Sequence, residues 1–189
     1  MKSVLIARNA NADGSSDDAV CVFPTEIGWM GIVGRVNTVR SVYVGHASKS
    51  SVKQAIRQSL LQNDSKQEPV EFDWSPDLRT ALQAYASGER VTFDHFDLFL
   101  PNQTPFRDRV IAATRRIQYG HTATYGELAR RVGNPGAARA VGTAMSTNRF
   151  PILIPCHRVV AAGGKLGGYT CPIGTDLKVR LLAIEAEHR

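Results

Sequence analysis

Apolar positions fall in short runs through the first half of this chain and at helical spacing through the second. Clusters of β-branched and aromatic residues over 3–8, 19–23, 28–33 and 41–44, each bounded by Gly, Asn, Asp or Pro, predict four strands. From 51 to 61 the spacing changes: Val52, Ile56, Leu60 and Leu61 share one face of a predicted helix. A polar stretch, 62–68, reads as a loop closed by Pro69, and a second helix is predicted over 77–85, stopping at Gly88. Residues 91–100 alternate imperfectly and read as a strand or an extended linker. Pro101-Asn102-Gln103 marks a domain boundary, giving an N-terminal α/β domain at 1–100 and a C-terminal domain at 101–189.

The C-terminal part is more helical. Thr104-Pro105 opens a helix predicted to run through Ile117, with Phe106, Val110 and Ile117 as its core positions. Thr124 followed by Glu127 is a capping box that opens a helix to about Val132. Gly133-Asn134-Pro135-Gly136 is a tight turn, and a small-residue helix follows over 137–146. Two short helices joined by a Gly-containing turn form a helix-turn-helix candidate, a pattern shared by many unrelated helix pairs.

With 189 residues and 43% hydrophobic composition the chain can bury a core as one ordinary domain or two small ones. No stretch is long and apolar enough to span a membrane, and the run Val4–Ala7 is too short for a secretory signal. Three cysteines, Cys21, Cys156 and Cys171, make an odd, sparse set that fits a reducing compartment and not a disulfide framework. The net charge of +6 hides an asymmetry. Residues 1–100 carry 10 Lys/Arg against 12 Asp/Glu, whereas residues 101–189 carry 13 against 5. A basic C-terminal half suits a polyanion such as DNA and, on charge alone, suits a solvated basic face equally well.

One segment carries the chemistry: Pro151-Ile152-Leu153-Ile154-Pro155-Cys156-His157-Arg158-Val159-Val160. An apolar run delivers a cysteine with histidine and arginine directly after it. The thiolate is the reactive form of cysteine, and nearby cations lower the cost of making it, so the segment reads as a nucleophile on a rigid mount.

Three motifs in this order resemble the O6-alkylguanine-DNA alkyltransferases: Thr124-Tyr125-Gly126-Glu127-Leu128-Ala129, then Gly133 through Met145 with Ala138-Arg139-Ala140-Val141-Gly142, then Asn148 with Pro151 through Val160. Gly168-Tyr169 and a terminal helix ending in Leu181-Leu182-Ala183-Ile184-Glu185 complete the likeness, which covers roughly residues 104–185. The resemblance implies an α/β (α+β) fold. A ribonuclease-H-like N-terminal domain would carry a small antiparallel sheet with helices, and a mainly helical C-terminal domain would carry the helix-turn-helix, DNA binding and the active site. It also implies direct DNA repair. A methyl or larger alkyl group passes irreversibly from O6-alkylguanine, with O4-alkylthymine a further candidate, to Cys156, once per molecule.

By the same resemblance, His157 polarises Cys156 through a water, Glu185 holds His157, and Asn148 braces the turn before the nucleophile. Tyr169, Met145 and Pro151 wall the guanine pocket, and Thr170 places a hydroxyl near the guanine oxygen. Arg139 fills the gap left by a flipped base and Tyr125 pushes the target phosphate. Ala138, Ala140 and Gly142 let the helix sit close in the minor groove, and Asn134 and Arg107 contact the backbone. Double-stranded DNA is the implied partner of a monomer that needs no cofactor or metal and works in a bacterial cytoplasm or a eukaryotic nucleus. Two departures stand out. Arg149-Phe150 follow Asn148 where relatives often have proline, and Cys171-Pro172-Ile173-Gly174 replaces a small, Gly-rich turn after the tyrosine. Competing readings are a lesion sensor without chemistry, which Cys156 disfavours, a regulator with a zinc module, for which cysteines are lacking, and a Cys-His hydrolase, which leaves the basic helix unexplained.

Overall fold

A computed structural model describes residues 18–62 and 69–188. The strand predicted over 3–8 and most of the polar stretches at 9–18 and 62–68 lie outside the described residues. The chain divides into two compact units, Met1–Pro101 and Asn102–Arg189.

In the first unit, β1 (Ala19–Thr25), β2 (Gly28–Arg35) and β3 (Thr38–His46) form an antiparallel meander. Two short strands, β4 (Val70–Glu71) and β5 (Asp97–Leu98), add parallel edges in the order β4-β1-β2-β3-β5. The predicted antiparallel sheet is therefore mixed at both edges, because two-residue strands carry too little periodicity to be read. Helix α1 (Lys49–Gln62) lays Val52 and Ile56 on Val20 and Val33. Contact is so close at Gly31 that an added Cβ would stand 2.5 Å from a Val52 methyl. Leu60 packs alongside, but Leu61 is 64% exposed, since it lies off the 52-56-60 row. Helix α2 (Pro76–Ala86) buries Leu78, Leu82, Tyr85 and Ala86.

The second unit holds α3 (Pro105–Arg115), α4 (Tyr125–Arg131), α5 (Ala138–Ser146) and α6 (Thr175–Glu187) around a parallel pair of two-residue strands, β6 (Ala123–Thr124) and β7 (Val159–Val160). Thr104 caps α3 by accepting from the Arg107 amide at 3.2 Å. The capping box of α4 is complete: Thr124 Oγ1 accepts from the Glu127 amide and Glu127 Oε2 accepts from the Thr124 amide. Gly133, at φ +79, supplies the left-handed turn between α4 and α5. One apolar core, including Val110, Leu128, Val141, Met145 and Val159, takes in Cys156. No helix among the described residues is long and apolar enough to cross a membrane.

Candidate active site

The apolar run before the cysteine is a string of turns and not a strand. Pro151 and Pro155 have no amide hydrogen to give a sheet, and Ile152 sits at φ +74. That left-handed β-branched residue costs on the order of 1–3 kcal/mol, so its surroundings must enforce it. They do so in two ways. Phe150, Ile152, Leu153 and Ile154 are all buried, and the Ile154 amide donates to Phe150 O at 2.8 Å. Asn148 then ties the loop together: its Oδ1 accepts from the Phe150 amide at 3.0 Å, and its Nδ2 donates to Ile154 O at 2.9 Å and to Cys156 Sγ at 3.1 Å. Asn148 therefore touches the thiol itself as well as the turn.

Cys156 opens a single 3-10 turn, Cys156–Arg158, which aims consecutive side chains in different directions. His157 Nε2 lies 2.8 Å from Glu185 Oε1, and both side chains are buried. Arg158 turns toward the same carboxylate, donating from Nε at 3.0 Å to Oε2 and from its terminal nitrogen at 2.9 Å to Oε1, while the other guanidinium nitrogen donates to Ile117 O at 2.7 Å. The Gly120 amide completes the set at 2.9 Å from Oε2. Burial alone would raise the Glu185 pKa, but the His157 and Arg158 hydrogen bonds and charges outweigh it and hold the group far below the usual carboxylate range. Burial lowers the His157 pKa despite Glu185, so the imidazole is neutral near pH 7. A neutral ring that gives its Nε2 proton to an ionised carboxylate keeps Nδ1 as its basic nitrogen.

The thiol differs from the sequence expectation. Burial raises the Cys156 pKa, so the resting group is a thiol. The Arg158 guanidinium, expected beside it, is committed to Glu185. The groups that favour the thiolate are the Asn148 amide, the Lys178 ammonium and the backbone amides of Cys156 and His157. Lys178 is fully buried on α6, with its ammonium on Val159 O and Leu166 O and 3.5 Å from Gly168 O. It ties the strand that follows the nucleophile to the loop that leads into Tyr169.

Around the thiol, Tyr169 packs against the core cluster that holds Cys156, and its buried hydroxyl has Cys156 and Cys171 as ionisable neighbours. Tyr125 packs there too, and its phenol pKa is raised by burial and by Cys156. Gly167, at φ +71, lets its loop pass the Tyr125 hydroxyl, where a Cβ would stand 2.9 Å away. Met145 is 7% exposed and takes a Thr114 hydroxyl contact at 3.7 Å, which places it in the core. Pro151 is half-buried and Thr170 exposed. On α5, Arg139 and Ala140 are exposed, and Ala138 and Gly142 half-exposed. Asn134 Nδ2 caps Val132 O at 3.1 Å, and Arg107 donates to Thr147 O at 3.1 Å, so both brace the ends of the helix pair. Cys171 is half-buried with its thiol on Gly174 O at 3.3 Å. Among the described residues no three His, Cys, Asp or Glu stand close enough to hold a metal ion, Cys21, His46 and His95 included.

Residues 105–187 match the family profile "6-O-methylguanine DNA methyltransferase, DNA binding domain". A curated methylated-DNA–protein-cysteine methyltransferase of Mycolicibacterium paratuberculosis is 42% identical over 137 residues, covering 69% of this chain and 80% of that protein. The chain belongs to the methylated-DNA–protein-cysteine methyltransferase family. A Methanosarcina acetivorans methyltransferase is 47% identical over 104 residues, 55% of this chain and 64% of that protein. A crystal structure of Mycobacterium tuberculosis OGT in complex with DNA superposes with a TM-score of 0.69 at 31% identity, covering 90% of this chain and 94% of that one.

Three parts of this methyltransferase site escaped the sequence reading. Arg158 was in view beside the cysteine, but its commitment to Glu185 depends on α6. Lys178 looks like any cation on a terminal helix, although its three-residue distance from Leu181 and seven-residue distance from Glu185 put all three on one buried face. The Gly120 amide leaves no trace in a side-chain pattern.

Proposed function

We propose that this protein repairs DNA directly by accepting the alkyl group of O6-alkylguanine on Cys156. The observation that carries the reading is a free buried thiol on a braced loop, with a neutral histidine beside it whose far nitrogen is fixed by an ionised carboxylate. Cys156 Sγ attacks the alkyl carbon, the carbon–O6 bond breaks, and guanine leaves with the electron pair. The thiol proton passes toward His157 Nδ1, through a water, and is returned to the departing guanine. The product is a thioether, which has no carbonyl for water to attack, so each molecule reacts once. Because the resting group is a thiol, deprotonation belongs to the reaction step and does not precede it.

The exposed face of α5 would enter the minor groove with Arg139 filling the gap left by the flipped nucleotide, and Tyr125 would press on the target phosphate. The pocket between Tyr169, Pro151 and Met145 would hold the extruded base, in a protein that acts as a monomer. The test is the intact mass before and after incubation with a duplex carrying one O6-methylguanine, followed by peptide mapping. The expected gain is one methylene, confined to the Cys156 peptide and saturating at one per protein. Lesion-selective binding with no gain would assign a sensor, and neither would remove the reading.

A further inference from the structure

From Leu128 through Thr175 the sequence contains no Asp or Glu, although it carries Arg130, Arg131, Arg139, Arg149, Arg158 and Lys165. Arg158 is neutralised by Glu185 from α6. Arg149 is the cation closest in sequence to the nucleophile on its N-terminal side. It is exposed, and it makes no ion pair or side-chain hydrogen bond among the described residues. Its position is fixed on both sides. Asn148 before it bonds the Phe150 amide, Ile154 O and Cys156 Sγ, and Phe150 after it is 2% exposed. An exposed arginine between two immobilised neighbours is displayed on a rigid mount, so holding it toward a ligand costs little backbone entropy.

The helix before it supports the same direction. The outward residues of α5 and its end, Arg139, Ala140, Thr143, Ser146 and Thr147, are all exposed and include no acid. Arg139 lies in the first turn of α5 and Arg149 three residues beyond its last residue, so in sequence the two cations flank that acid-free face.

Resting on the DNA-repair reading above, we propose that Arg149 is a phosphate anchor, holding the DNA backbone beside the flipped nucleotide at the mouth of the active site. An arginine aimed at phosphate positions the duplex without reading its sequence.

The test compares wild type, R149A, R149K and R90A, the last removing an exposed cation from the N-terminal unit. The probe is a labelled duplex with one O6-methylguanine, with anisotropy followed against KCl concentration. Each affinity is normalised to the fraction of protein that titrates with free O6-benzylguanine. R149A should bind about three- to tenfold more weakly near 0.1 M salt, with a slope of log affinity against log salt shallower by about 0.9, the value for one lost phosphate contact. R149K should recover most of that slope, because a phosphate accepts a point charge where a base edge demands the guanidinium fork. A slope in R149A equal to that of wild type and R90A overturns the proposal, and so does a failure of R149K to restore it. Wild type that binds no duplex removes the underlying repair reading as well, whereas wild type that binds and reacts with an R149A of equal slope removes the anchor alone.

Discussion

Two buried cysteines in this chain have the same first influence on their acidity and opposite fates. Cys21 lies on β1 in the sheet, and Cys156 at the head of a turn in the second unit. Burial raises both thiols. At Cys21 the next two influences raise it again, because Asp73 places its carboxylate 3.5 Å from the sulfur, and the result is about 12. At Cys156 every remaining influence runs the other way: an amide donor from Asn148, the buried ammonium of Lys178, and backbone amides. Burial makes both thiols neutral at rest, and what separates them is the neighbours, which are hydrogen-bond donors and a cation at Cys156 and a carboxylate at Cys21.

The comparison breaks most sharply at the sulfur atoms themselves. C156S should abolish alkyl uptake completely while retaining lesion-duplex affinity, and C21S should take up one alkyl group per protein as wild type does. Mass spectrometry of both against the same methylated duplex checks this, and residual uptake in C156S would move the acceptor to another thiol.

Next in size is Glu185, which holds His157 at 2.8 Å. E185A leaves His157 and the Arg158 guanidinium facing an uncompensated buried site, at a cost of about 3–5 kcal/mol measured by urea unfolding. E185Q keeps the shape but loses the charge that orients the imidazole. Its alkylation rate should fall by about 10²-fold, the lower range for general-base assistance. An unchanged rate in a folded E185Q would make Glu185 structural only.

Arg139 and the thiol's own partners come below that. R139A should react with free O6-benzylguanine and lose about tenfold or more on duplex DNA, since filling the vacated stack is worth the few kcal/mol that flipping costs. An equal loss on both substrates would remove the finger role. K178M removes the cation next to Cys156 and frees Leu166 and Gly168 carbonyls, so the single-turnover rate should drop about tenfold and its rise with pH should shift upward. A drop with no shift of the pH profile would mean that Lys178 acts by holding the Tyr169 loop alone.

The order of these effects also shows what the chain discloses in one dimension. Elements of ten residues or more that carry caps, such as α3 with Thr104-Pro105, were readable to within two residues, because capping chemistry is local. The pairing of His157 with Glu185 was readable from the motif and the family likeness together. The sign of the thiol's environment was not. Arg158 stands only two residues after Cys156 yet pairs with Glu185, while Lys178, far along the chain, is the cation that acts on Cys156. Charge adjacency in sequence gives no direction for a side chain, and a 3-10 turn sends successive residues apart. Two-residue strands such as β4 to β7 were invisible for a related reason: they exist through pairing, and pairing is non-local.

The smallest expected effect concerns stability against pH, where His157 and Glu185 act on the acid side and the two thiols on the alkaline side. His157 has a folded pKa below its unfolded value of about 6.5, so the unfolded chain binds more protons in acid and its contribution is lost as pH falls below that value. Glu185, also depressed, adds a further loss below about pH 4.3. The thiols of Cys21 and Cys156 are raised, so their contribution is complete below the unfolded value of about 8.5 and is lost as pH climbs toward their folded values. Unfolding midpoints should therefore plateau between about pH 7 and 8 and fall on both sides. D73N separates the two thiols on the alkaline limb: with the carboxylate gone the Cys21 thiol moves back toward its ordinary value, and the alkaline decline becomes shallower. An alkaline limb unchanged in D73N and abolished in C156S would place the whole effect at the active site and leave Cys21 without the electrostatic burden that sets the two cysteines apart.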